Sequence, residues 1–246
     1  MRSFGLFLRM LALPALLSAC APAPPVAPTA ATAADAGAAP PAAYSQQRMP
    51  GQQVWRIDPQ SLVAITVRRS GALARLGHDH VVAARQIDGY AVTAAAPAAS
   101  GGATGSAIAG RADFRFRLDR MTVDEADLRA VAGLDSVPSA DAIAGTRHNM
   151  LERVLDAAQF PYVQVHAEQA DASSPVQADI TLHGVTRRYA IPATIALAAG
   201  GTRLNASGTL TLKQSDFGIV PFSVLGGALA VQDQLELRFE IGAVQQ

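Results

Sequence analysis

Residues 75–80 read Arg-Leu-Gly-His-Asp-His, and this segment holds two of the chain's five histidines. On an extended chain, side chains two apart point the same way, so His78 and His80 share a face and Asp79 takes the other. Two imidazoles so placed can share a metal ion, but a catalytic zinc takes three protein ligands and a structural one four. His148, His166 and His183 are the only other histidines, and they form no second His/Cys cluster. A metal-binding or redox-associated protein centred on His78 and His80 is therefore an alternative that lacks named further ligands. Acid–base catalysis has less support: the chain carries no Gly-x-Ser-x-Gly elbow, zincin helix, P-loop or dinucleotide fingerprint. Arg75, His78 and His80 could together hold a polar headgroup at the mouth of an apolar pocket, where a few placed polar groups are typical. The plainest conformation for the segment is a turn in which Asp79 bonds nearby backbone.

The chain that positions this segment has 246 residues, with 20 basic and 20 acidic side chains. A net charge of zero without basic runs gives no electrostatic footprint for nucleic acid or an anionic membrane surface. The lone cysteine, Cys20, excludes an intrachain disulfide. It follows Arg2, Arg9 and the apolar run "MLALPALL", which is too short to span a bilayer. Residues 1–19 thus read as a secretory signal peptide. "LSAC" resembles a bacterial lipobox, which implies cleavage before Cys20 and acylation of its thiol. By resemblance to sorted lipoproteins, Ala21 in the next position favours the outer membrane. Residues 20–53 are rich in proline and alanine and nearly lack large apolar side chains, so they are expected to form a disordered tether.

From residue 54 onward the pattern changes to period two. Val63, Ile65 and Val67 alternate with Ala64, Thr66 and Arg68; Phe114, Phe116 and Leu118 alternate with Arg115, Arg117 and Asp119. Val163 and Val165, Ile180 and Leu182, Leu210 and Leu212, and Leu235, Leu237 and Phe239 repeat the pattern. Such segments are strands with one dry and one wet face, as in antiparallel sheets. Residues 54–246 are therefore expected to be one all-β domain, and the apolar residues just named to line or fill its interior. Ala206 and Gly208, small and on the dry side, would leave volume. Residues 94–110, "AAAPAASGGATGSAIAG", have the composition of a loop. Met150, Leu151, Val154 and Leu155 form a helical stripe, predicting one short helix ended by Pro161.

Several stretches resemble the YceI-like, polyisoprenoid-binding family. They are "WRIDPQSLVAITV" at residues 55–67, "RHNMLERVLDAAQFPYVQV" at 147–165, "ADITLHGVTRR" at 178–188, "GTLTLKQSDFGI" at 208–219 and "VQDQLELRFEIGA" at 231–243. The "LGHDH" segment and the loop at 94–110 depart from the family's usual pattern. The resemblance implies a lipocalin-like, eight-stranded antiparallel barrel that holds a prenyl or fatty-acyl chain as its ligand, with no cofactor and no catalysis. Two further function classes stand beside it: the histidine-centred metal protein, and an interaction module whose barrel is filled. Partners are then an apolar lipid and, through Cys20, a membrane; the sequence names no protein partner.

Overall fold

The computed structural model describes residues 51–94, 109–171, 173–198 and 200–246. Cys20, residues 1–19, the tether up to residue 50 and nearly all of the loop at 94–110 lie outside the described residues. The first strand begins at Gln52, so the barrel takes in the last two residues that the sequence reading assigns to the tether.

The strands are β1 (Gln52–Ile57), β2 (Leu62–Ser70), β3 (His80–Ala84), β4 (Ile87–Ala94), β5 (Gly110–Arg117), β6 (Thr122–Val123), β7 (Tyr162–Gln169), β8 (Val176–Leu182), β9 (Val185–Ile191), β10 (Ala193–Leu197), β11 (Arg203–Lys213), β12 (Ser223–Val224) and β13 (Leu229–Gln245). All pair antiparallel within one sheet, and the pairing closes on itself. The joined β1–β2 runs against the joined β4–β3, with Arg56 opposite Tyr90 and Val63 opposite Ala84. β4 then pairs β5, β5 pairs β7, β7 pairs β8 and β8 pairs β9. Pro192 follows β9, and without an N–H it cannot continue a ladder. The chain changes neighbour there, and β10 pairs β11. β11 pairs β13, and β13 returns to β1 and β2. With β1–β2, β3–β4 and β9–β10 each acting as one bent stave, the ring has eight staves, the size at which a barrel fills or holds one slim ligand.

All six segments with period two are strands, except that Leu118 lies just past β5, in the 3-10 turn Leu118–Arg120. The first half of β2 is not wet on its outer face. Leu62 and Ala64 are buried there with Val81 and Ala83, beneath Leu128 of a helix, α1 (Ala126–Val131). The expectation of a single helix is corrected accordingly. The second helix, α2 (Ala140–His148), starts at Ser139, whose Oγ accepts the Ala142 N–H, and runs on as a π-type turn, Asn149–Val154. It stops at Leu155 and Asp156, the latter at φ 43°, several residues before Pro161. No described helix is long and apolar enough to cross a membrane.

Candidate functional site

Alternation carries the inward face of β2 from Val63 through Ile65 and Val67 to Arg69, and that of β3 through His80, Val82 and Ala84. These faces border an interior divided into two compartments. One, of about 170 Å³, is lined by Ile57, Val63, Phe114, Val165, Ile180, Leu210, Leu237 and Phe239 among others. The second, of about 230 Å³, is lined by Ile65, Val67, Leu118, Leu182 and Leu235, by Met150, Val154 and Leu155 from the α2 segment, and by His78 and His80. Phe116 and Val163, cross-strand partners on β5 and β7, belong to both linings, so they form the throat for any chain that would run from one compartment to the other.

Fourteen of the fifteen apolar residues read from the sequence as interior therefore line one compartment or the other. Leu212 is the exception: it is buried in the wall but borders neither. Gly208 also departs from expectation, because the space beside it is taken. A Cβ there would lie 2.8 Å from the Phe239 ring and 2.9 Å from the Pro192 carbonyl oxygen. Gly89, opposite Phe114 across β4 and β5, is crowded instead by backbone: a Cβ there would meet the Asp113 carbonyl oxygen and Phe114 Cα. Ala206 does border the smaller compartment.

The polar groups of the larger compartment are Arg69, His78, His80, Thr146, Asn149 and Gln214. His80 is the most constrained. Its Nδ1 lies 2.6 Å from Asp124 Oδ2. Asp124 is fully buried and also accepts from the Val81 N–H at 3.0 Å and from Arg129 at 2.6 Å. Burial alone would raise the Asp124 carboxyl pKa, but the hydrogen bonds from His80, Val81 and Arg129 outweigh it and hold the pKa below its ordinary value. An ionised carboxylate can only accept, so the proton of this contact sits on His80 Nδ1. Nε2 is thereby directed at Thr146 Oγ1, 3.3 Å away on α2. Arg129, itself buried, is anchored by the carbonyls of Asp79 and Ser136. The positive φ of Asp124, 58°, is a local strain held by this network.

Carboxylate, imidazole and hydroxyl stand here in the order of a nucleophile triad. The hydroxyl contact is looser than the usual 2.6–3.2 Å, and Thr146 lies within α2, where backbone N–H groups are committed to the helix. The arrangement is better built to orient a polar group than to attack one.

His78 lies beside His80, ring centroids 6.2 Å apart. Asp79 points the other way and accepts the Arg69 backbone N–H at 2.9 Å. Arg75 is exposed on the 3-10 turn Ala74–Leu76 and borders neither compartment; the arginine that does is Arg69. The other histidines lie elsewhere: His148 is exposed beside Glu152, His166 bonds Asp113 on the outer face, and His183 packs on Phe160 at the β8–β9 corner. Among the described residues, no three His, Cys, Asp or Glu side chains converge on a point where a metal ion would sit. Sequence reasoning missed Asp124, Arg129, Thr146 and Asn149, which join the site only through the fold. Arg69 was accessible to it, since the period-two run of β2 extends to that position.

Fold and interior together define a closed antiparallel barrel with an apolar, two-chambered hollow and a histidine-bearing polar wall. The chain belongs to the YceI-like domain family, whose model matches residues 55–243. Among solved structures it is similar to Burkholderia cenocepacia BcnA, with a TM-score of 0.51 and 16% identity over 76% of this chain and 98% of that one. It is also similar to a polyisoprenoid binding domain from Saccharophagus degradans implicated in plant cell wall breakdown, with a TM-score of 0.50 and 11% identity over 79% of this chain and 99% of that one. At these identities the likeness is one of fold. No curated protein matches the chain.

Proposed function

We propose that this barrel binds and carries one long apolar chain, a polyisoprenoid or fatty-acyl lipid, in the bacterial cell envelope. The observation that supports this reading is the pair of apolar compartments joined at Phe116 and Val163. A cavity of about 150 Å³ lined by such side chains stays dry and accepts apolar guests. At ~24 cal/mol per Å³, leaving the 170 Å³ compartment empty forgoes about 4 kcal/mol of packing. A guest chain recovers that contact and leaves water at ~25 cal/mol per Å² buried. The similarity to a polyisoprenoid binding domain points the same way. The protein acts by sequestration, as a binding protein and not an enzyme, and needs no cofactor.

The "LSAC" sequence supports acylation of Cys20 and an outer-membrane, periplasm-facing address. Residues 20–51 then serve as a tether between lipid and barrel. Mass spectrometry of a solvent extract of the purified protein tests the ligand: a prenyl or acyl lipid is expected. An empty extract, with no uptake of added prenyl or acyl lipids, refutes the reading in favour of a barrel that only recruits partners. Cys20→Ser tests the anchor: the protein should leave the membrane fraction, and a variant that still pellets with membranes rules lipidation out as the anchor.

A further inference from the structure

We propose that two apolar loops at one end of the barrel, residues 71–77 and 218–228, form a membrane-docking surface that inserts Leu76 and Leu225 into the headgroup boundary of a phospholipid bilayer. This goes beyond the carriage of a lipid, because docking needs no bound ligand. The loops read "GALARLG" and "GIVPFSVLGGA", and their only polar side chains are Arg75 and Ser223; neither loop has a carboxylate. Leu76 is 60% exposed, Leu225 70% and Val220 79%. Large apolar side chains scattered singly over a surface are ordinary. These three instead fall on two loops that are fastened to each other. The Leu73 N–H donates to the Ala228 carbonyl at 2.7 Å, and Gly71, at φ 89°, lies so near that a Cβ there would stand 2.5 Å from the same oxygen.

The backbone at the tip supports the same reading. Leu225, Gly226 and Gly227 have φ of 53°, 64° and 89°. Glycine takes such angles freely, but a leucine there is strained, and in water its side chain gains little burial in return. A bilayer supplies that burial, since apolar groups settle ~5–10 Å into the headgroup and acyl boundary. The polar groups also fit phospholipid better than a protein partner. A protein interface carries about one hydrogen bond per 100–200 Å², and these loops supply only the side chains of Arg75 and Ser223 for that. Arg75 is exposed next to Leu76 on the 3-10 turn, so its guanidinium can stay among the phosphates while its stem follows the leucine inward. Arg153, 5.0 Å over the Phe222 ring, adds a second cation beside the loops. Asp79, just past the first loop, is neutralised by Arg68 and Arg69. Gly77 and Phe222 also line the larger compartment, so docking sets that compartment against the bilayer. Gln52, where the barrel begins, pairs with Ala94 at the opposite end.

The test uses the full chain with Cys20→Ser, so that no acyl anchor holds it, and with one new thiol carrying an environment-sensitive nitrobenzoxadiazole dye. Ser223→Cys labels the loops, and Ser173→Cys labels the turn between β7 and β8 at the other end. Both are titrated with ligand-free vesicles of three parts phosphatidylethanolamine to one part phosphatidylglycerol. The dye at position 223 is expected to shift to the blue and to be quenched by lipids that carry a quencher on the acyl chain; the dye at 173 should do neither. In the Leu76→Ser/Leu225→Asn background, the lipid needed for half of that shift should rise at least about tenfold, the effect of losing the burial of one leucine. Asparagine takes a positive φ more readily than leucine, so Leu225→Asn alone should leave Tm unchanged or raise it. A Tm lowered by several degrees would show that Leu225 serves the fold and would overturn its assignment to docking. No response at 223, equal responses at both positions, or an unchanged titration in the double variant each overturns the surface named here. A wild-type dimer in sedimentation that the double variant disperses, with no response to vesicles, overturns it in favour of a second copy of the chain. None of these results bears on whether the hollow carries a lipid, which the solvent extract decides separately.

Discussion

Val163→Phe should close the throat and turn the barrel into two separate chambers. Val163 is buried, stands opposite Phe116 and borders both compartments. In the wild type, affinity for a homologous series of straight-chain acids should rise about fourfold per methylene, at ~0.8 kcal/mol for each CH₂ buried. Filling the 170 Å³ compartment is worth up to about 4 kcal/mol at ~24 cal/mol per Å³, which is roughly a thousandfold in affinity. In the variant, the series should climb only until the larger compartment is full and then level off. Titration calorimetry on the two proteins measures this directly. The added ring costs about 1–3 kcal/mol by overpacking, so thermal melts must show that the variant is folded at the working temperature. Short acids, which never reach the throat, serve as an internal control and should bind both proteins alike. A folded variant with the same slope and the same final affinity as the wild type would refute a chain that threads between compartments.

Other expectations concern the network that holds the site and the walls around it. Asp124→Asn leaves Arg129 buried without a counter-charge and should cost about 3–5 kcal/mol, a fall in Tm of roughly 6–20 °C. Because the Asp124 carboxyl is held below its ordinary value in the folded protein, its stabilisation is present above the unfolded value of ~3.9 and lost as pH falls through the folded one. Acid denaturation of the variant, followed by circular dichroism, should lack that component. Gly208→Ala should destabilise by about 1–3 kcal/mol, and adding Phe239→Leu should restore only part of it, because the Pro192 carbonyl still opposes the new Cβ. Full restoration in denaturant melts would mean that the Phe239 ring alone sets the conflict. His166 is held above its ordinary value: burial alone would lower it, but the hydrogen bond and charge of Asp113 outweigh this. Its small stabilising effect is present below the unfolded value of ~6.5 and lost as pH rises through the folded one. Asp113→Asn should bring the NMR titration of His166 down toward that unfolded value, and an unmoved midpoint would show that Asp113 is not the cause.

The strands that alternate in sequence were legible because each has one wet face. β5, β7, β8, β11 and β13 write their inward side as every second apolar residue, and that side is what lines the barrel. β3 was not legible. Val82 and Ala84 face the interior while Val81 and Ala83 lie under Leu128 of α1, so "HVVAA" is dry on both sides and shows no period. α1 itself spans only Ala126–Val131, too short for a helical stripe to register. The family resemblance rested on local stretches, and those survive any error in pairing. Whether the interior is packed or hollow depends instead on how side chains from different staves meet. Gly208 appeared to open space and in fact receives Phe239, while Phe116 and Val163 divide one hollow into two. His78 and His80 could be placed on one face by spacing alone. The partners that orient His80 come from residue 124 before α1, residue 129 within it and residue 146 on α2. Contacts across 44 and 66 positions leave no local trace in sequence, because they are set by closure of the barrel and by where the helices come to rest on it.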